Sequence, residues 1–222
     1  MKKHTIISQK LNVGCGPNAI ENWINFDWGI LPMLSKFTLF RTMLINLKIL
    51  PKNYDIKWAP IKLVDIRRKF PLKNSSIKYI YCSHVIEHFE RWEALRILKE
   101  CYRVISEDGC IRMIVPDIEK MSNIYSNSIN QDLNNRPARE FCRIWWGYDK
   151  DIKPKGLIQK IARRFIRDHY WNYDKYELNL LLKDAGFHNI KTVAFQEGSV
   201  PDIEKLDVES YRDHSLYMEA TK

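Results

Sequence analysis

Apolar and polar positions follow two rhythms along this chain. Short runs rich in β-branched and aromatic residues recur near 10–14, 23–27, 61–65, 77–82, 110–115, 189–195 and 215–220, and each reads as a strand. Longer stretches between them carry a helical period. From Glu87 to Ile105, the residues Phe89, Trp92, Leu95, Leu98, Tyr102 and Ile105 recur at spacings of three and four, with charges between them. Asp108-Gly109 reads as a turn into Cys110–Val115, a run apolar enough for a buried central strand. A second helix is expected from Tyr173 to Asp184, with Gly186 as its C-cap. Strands alternating with helices predict an α/β fold, a mostly parallel sheet covered on both faces.

Two segments do not fit a bare sheet. Residues 29–60 mix aliphatic and aromatic side chains with lysines and an arginine. Residues 120–170 are Asn-rich at first, then aromatic, then basic. Both follow strands, where α/β folds carry their binding loops. The expectation is a single domain over 1–222, with these insertions as lid or substrate-recognition segments.

Composition narrows the picture. The chain has 222 residues, 45% of them hydrophobic and 28% charged, which is ordinary for a globular protein with one large core. Its longest apolar runs fall short of the roughly 18 residues that span a bilayer. Lys2, Lys3 and the short apolar run after them resemble the start of a secretory signal, but the run stops within a few residues and is read as mature protein. The cysteines at 15, 82, 101, 110 and 142 form no CxxC pair, so they read as packed thiols in a reducing cytoplasm. Much of the net charge of +9 sits in Lys150–Arg167, where seven basic residues face one acid. That stretch suits an anionic partner or an acidic membrane surface as well as it suits a solvated helix face, and nucleic acid is not excluded.

The candidate chemistry starts at Gly14-Cys15-Gly16-Pro17-Asn18, directly after the apolar run Leu11–Val13. A strand entering two closely spaced glycines makes a tight turn where a ligand can lie against backbone. Acidic residues close the next two strands at Asp27 and Asp65, and a further strand runs into Ser83-His84-Val85-Ile86-Glu87-His88.

These segments, together with Glu100–Asp117, resemble the class I S-adenosylmethionine-dependent methyltransferases, and more narrowly a group of small bacterial methyltransferase-like proteins. The similarity runs from about 10 to 117 and resumes at His169–Phe187, and at Ser215–Ala220. The resemblance implies a Rossmann-like seven-stranded sheet in the order 3-2-1-4-5-7-6, with the last strand antiparallel. It also implies S-adenosyl-L-methionine as cofactor and methyl transfer as the reaction.

The residues can be read the same way. Gly14, Cys15, Gly16 and Asn18 would hold the amino-acid end and sulfonium of the cofactor. Asn18 stands where many methyltransferases have a third glycine, and asparagine tolerates left-handed backbone. Asp27 would accept from the ribose hydroxyls, which requires an unusually short first helix over Pro17–Asn22. Asp65 would accept from the adenine amine, with Ile66 packed on the ring and Ser83 facing the methyl group. His84 is the first candidate for a general base and His169 the second. Glu87 and His88 open the next helix, with Glu87 suited to the helix dipole and His88 read as structural.

No metal-ligand set is assigned. The spacing His84-x-x-Glu87-His88 matches an inverted zinc-peptidase motif, but that reading leaves the glycine turn and both aspartates unexplained. A nicotinamide fingerprint also fits Gly14–Ala19, yet strand-like sequence restarts at Trp23, too early for its helix. The expected function is methyl transfer to a small-molecule or glycan acceptor. The alternative is a non-catalytic module that binds the cofactor or an anionic partner on the same fold.

Overall fold

A computed structural model of the chain describes residues 9–29, 32–33, 36–47, 55, 60–129, 136–146 and 168–222. The strands are β1 (Lys10–Val13), β2 (Ile24–Asp27), β3 (Ile61–Leu63), β4 (Ile77–Ser83), β5 (Ile105–Pro116), β6 (His188–Thr192) and β7 (Ser215–Thr221). They form one sheet in the order β3-β2-β1-β4-β5-β7-β6. All neighbours pair in parallel except β7, which runs antiparallel to both β5 and β6. Class and order are those expected from the sequence. The order reverses between β1 and β4, the switch point where open α/β sheets bind ligands beyond the carboxyl ends of their strands.

The helices are α1 (Thr38–Asn46), α2 (Arg91–Val104), α3 (Ile118–Ile129), α4 (Pro137–Trp146), α5 (Lys175–Ala185) and the single turn α6 (Ile203–Leu206). Leu11, Val13, Phe26, Ile77, Ile80, Ile111 and Met113 are fully buried along the sheet. Onto them pack Ala94, Ile97, Leu98, Cys101 and Val104 of α2 and Leu178, Leu181 and Leu182 of α5. Each large aliphatic side chain buried this way contributes about 1.5–3 kcal/mol. Asp174 caps α5 by accepting from the amides of Tyr176 and Glu177, and Gly186 ends it at φ +109°. Cys15, Cys82, Cys101 and Cys110 are buried free thiols.

Two expectations at the ends of α2 change. The helix starts at Arg91, not Glu87: Ile86–His88 forms a separate 3-10 turn, and Phe89 and Glu90 are extended. The cause lies far along the chain. The amides of Tyr170 and Trp171 donate to the Glu87 carbonyl at 2.7 and 3.2 Å, claiming the acceptor that Arg91 would need to continue the helix. Trp92, placed on the apolar stripe by its spacing, is consequently 54% exposed. At the other end, Asp108-Gly109 is not a hairpin-like turn before the strand but part of an irregularity inside β5. The register jumps from Ile77↔Ile105 to Tyr79↔Cys110, so β5 carries three extra residues.

A second buried layer, on Trp23, Tyr81, Ile114 and Tyr217, encloses a charged cluster. Arg112, fully buried in mid-strand, donates to Asp207 at 3.1 and 2.6 Å, to Glu219 at 3.4 Å, and to the carbonyls of Glu197 and Ala194 at 2.7 and 3.0 Å. Glu219 also accepts from the amide of Ser199, and Asp207 from the amide of Gln196 and the Tyr81 hydroxyl. Among the described residues no helix is long and apolar enough to cross a membrane.

Candidate active site

The carboxyl ends of β1, β2 and β4 converge at the switch point. Gly14 and Gly16 both take left-handed backbone, at φ +66° and +50°. Their lack of a side chain serves different ends. A Cβ on Gly14 would clash with Cγ2 of Val85, so that glycine lets the turn pack against the second residue beyond β4. Nothing lies within 4 Å of a Cβ on Gly16, so its bare backbone faces open space on which a ligand can lie. Gly16, Pro17 and Asn18 form one 3-10 turn, the short first helix that Asp27's early position requires. Asn18 is right-handed there, so a third glycine is not needed.

Asp27 closes β2 with its carboxylate turned into this loop. Oδ2 accepts from the Gly16 amide and Oδ1 from the Trp28 amide, each at 2.6 Å. Burial pushes the carboxyl above its ordinary range, with the two amides opposing that shift. The buried Cys15 thiol, 4.0 Å from Oδ2, is pushed up by burial and by the Asp27 charge. Each Asp27 oxygen keeps a second lone pair, so the residue fits a ribose diol.

Two buried asparagines hold the loop, and the sequence reading missed both. Asn25 donates to the carbonyls of Ile20, Trp23 and Pro60 at 2.9, 3.2 and 3.2 Å, while its Oδ1 accepts from the Ile20 amide. Asn12 donates to the carbonyl of Asn18 at 3.3 Å. The signal was their place in otherwise apolar strands, where a buried amide needs local partners.

Asp65 lies beyond β3, but its oxygens face arginine. Arg67 holds it in a two-pronged bond, both arms at 2.8 Å, which draws the carboxyl below its ordinary range. Ile66 beside it is buried.

Ser83 ends β4, and His84 follows in left-handed backbone at φ +53°, a strained conformation for a non-glycine residue. The imidazole lies beside the start of β7. Its Nδ1 lies 3.1 Å from Oε1 of Glu87, its Nε2 lies 3.0 Å from Oγ of Ser215, and Tyr211 stacks on it with centroids 3.9 Å apart.

His169, 85 positions along the chain, comes to the same place: its ring meets that of His88 at 4.8 Å. The bonds from Tyr170 and Trp171 to the Glu87 carbonyl fix this meeting. Burial drives the His169 imidazole down to about 4, so it is neutral at neutral pH. Glu87 has no solvent exposure at all. Burial raises its carboxyl, but His84 and the surrounding imidazoles outweigh that and hold it below its ordinary range.

Both catalytic candidates therefore meet in one half-buried cluster around Glu87, Tyr211 and Ser215, three residues not expected to act in catalysis. For Glu87 the signal was its spacing from His84. For Tyr211 and Ser215, which arrive from the far end of the chain, there was none. The basic stretch Lys150–Arg167 lies outside the described residues, as do parts of both insertions.

The family described as Methyltransferase domain matches residues 11–113. That span includes the glycine turn, Asp27, Asp65, His84 and the switch point. A methyltransferase of Archaeoglobus fulgidus shares the fold, at 14% identity and TM-score 0.50, over 97% of this chain and 86% of that one. The Haloferax volcanii protein solved in complex with the Trm112 methyltransferase activator does so at 12% identity and TM-score 0.50, over 96% and 81%. No curated protein matches the chain. Residues 11–113 thus carry the match to a methyltransferase domain, and they lie on a seven-stranded sheet in the strand order of the class I S-adenosylmethionine-dependent methyltransferases.

Proposed function

We propose that the chain methylates a hydroxyl of a sugar or glycan intermediate, with His84 as general base. The observation that carries this reading is the setting of His84 at the exit of β4. One ring nitrogen lies against a fully buried carboxylate and the other points to Ser215. A carboxylate behind an imidazole fixes its orientation and stabilises the cation formed when it takes a proton.

The cofactor supplies an electrophilic methyl group. It would lie over the Gly14–Asn18 turn, with Asp27 on the ribose, Ser83 near the methyl, and Ile66 and Asp65 toward the adenine; to accept from the amine, Asp65 would have to share itself with Arg67. Alignment of acceptor and methyl supplies much of the rate, and removal of the hydroxyl proton by His84 the remainder. His169 is the weaker base because its burial opposes protonation. Tyr170 and Trp171, 61% and 41% exposed beside the cluster, offer faces on which a sugar ring can stack.

The insertions 29–60 and 120–170 serve as the acceptor-facing lid. In support, the end of α4 reaches the cluster, where the carbonyl of Trp146 accepts from the amide of His169 at 3.4 Å. Lys150–Arg167 adds affinity for phosphate-bearing acceptors or an anionic membrane surface, and places the protein in the cytoplasm at or near such a surface.

The test is transfer of labelled methyl to a panel of sugars, nucleotide sugars and lipid-linked glycans. His84→Ala should cut turnover by roughly 10²–10⁴-fold while cofactor affinity stays unchanged. Near wild-type turnover in that variant removes His84 as base. Firm cofactor binding with no transfer to any acceptor favours the non-catalytic module.

A further inference from the structure

Glu87, His88 and His169 each place one ligand atom so that all three lie within 4.8 Å of one another. Three properties of this cluster go beyond proximity. First, Glu87 is fully buried, and neither carboxylate oxygen takes an aligned hydrogen bond. Its approach to His84 is short, at 3.1 Å, but off-line, so the contact is one of charge. A buried carboxylate normally gathers several donors, and one without them is costly unless something else satisfies it. Second, Nδ1 of His169 is also buried without a partner, as is the hydroxyl of Tyr173, whose ionisation is opposed by burial and by the Glu87 charge. Third, Nδ1 of His88 lies 3.3 Å from the carbonyl of Asp168. A carbonyl only accepts, so Nδ1 is the donor in that contact. A metal-binding histidine commonly has one imidazole nitrogen held by a backbone carbonyl in this way.

We infer that Glu87, His88 and His169 bind a divalent first-row transition-metal ion, zinc being the reference case. Two imidazoles and one carboxylate suit such ions better than magnesium or calcium, which prefer all-oxygen shells. In a tetrahedral zinc site, ligands about 2.1 Å from the ion stand roughly 3.4 Å apart, so the triad closes by about an ångström on binding. Three protein ligands leave a fourth position open, the pattern of catalytic metal sites. His84 lies 3.1 Å from the Glu87 ligand, so an acceptor hydroxyl on such an ion would have its proton loosened near the base. This role rests on the methyl-transfer reading above, whereas the binding site does not.

The test uses the full-length protein, stripped with chelator and titrated with cobalt(II) or zinc(II) in the absence of any acceptor. One equivalent per chain should bind, and the cobalt form should show the d–d absorption of a four- or five-coordinate nitrogen–oxygen site. Glu87→Gln, His88→Gln and His169→Gln should each weaken binding by at least about 10–100-fold, the loss that outer-shell changes alone can cause. His188→Ala, an exposed histidine on β6, should leave binding unchanged. Circular dichroism and cofactor affinity identify which variants remain folded, and any one folded variant of the three suffices. The inference is overturned by a stripped wild-type protein that takes up no stoichiometric metal, or by folded variants that bind as tightly as wild type. Stoichiometric binding with an activity that chelation does not change would keep the site and remove only its catalytic role.

Discussion

Among the described residues, two clusters of buried charge, around Arg112 and around Glu87, are built in opposite ways. Around Arg112, the guanidinium reaches two carboxylates and two carbonyls, and the carboxylates collect further backbone amides from residues 196 to 200. Around Glu87, a carboxylate of equal burial sits among imidazoles with no aligned bond to either oxygen. The first cluster is arranged as a structural rivet: it ties β5, β7 and the 194–207 segment together and leaves no capacity unused. The second keeps capacity in reserve. Burial of charge alone thus does not separate the two clusters; the hydrogen-bonding capacity left unmet on the carboxylate does.

The largest effect should come from breaking the rivet. Arg112→Leu would strand Asp207 and Glu219 without their cation, at a cost of about 3–5 kcal/mol in urea unfolding. Cofactor affinity of the remaining folded protein should be unaltered, since the cluster's hydrogen bonds run to β4, β7 and residues 194–207 and not to the glycine turn. A loss below about 1 kcal/mol would mean that the cluster is no more structural than its counterpart.

Glu87→Gln keeps the shape and removes the charge. Because no aligned bond is lost, the stability change in the metal-free protein should stay under about 2 kcal/mol, with turnover and metal binding far more affected. A loss equal to that of Arg112→Leu would erase the distinction between the two clusters.

Ser215→Ala sharpens the comparison at its finest point. It deletes the partner of His84 Nε2 and should cost about 0.5–1.5 kcal/mol, the ordinary value of one hydrogen bond. Turnover should fall more than stability does, because the imidazole loses one of its two restraints. Thermal melts and initial rates on the same preparation separate the two quantities.

Some of this was written in local sequence. Alternating runs and helical spacing fix the seven strands and the central helices, because side-chain periodicity is a property of neighbouring residues. The glycine turn could be read because Gly14 and Gly16 adopt backbone that few other residues tolerate, and Asp27 because it closes a strand. Asp174 and Gly186 bound α5 by capping chemistry that is equally local. The errors fall where distant residues intervene. The start of α2 moved because amides at 170 and 171 claim the carbonyl of Glu87. Val85 stands where a Cβ on Gly14 would lie, a packing demand on that glycine that local sequence did not reveal. The bulge in β5 arises from pairing with β4.

Sequence by itself therefore determined the layer order, the reaction class and the two histidines to watch. Only tertiary structure decided that His84 and His169 share one half-buried cluster with Glu87, His88, Tyr211 and Ser215, and that Asp65 spends its charge on Arg67. The physical reason is range: periodicity, capping and turn preferences act over a few residues, whereas burial and the partners of a buried charge are set by whatever the folded chain brings alongside.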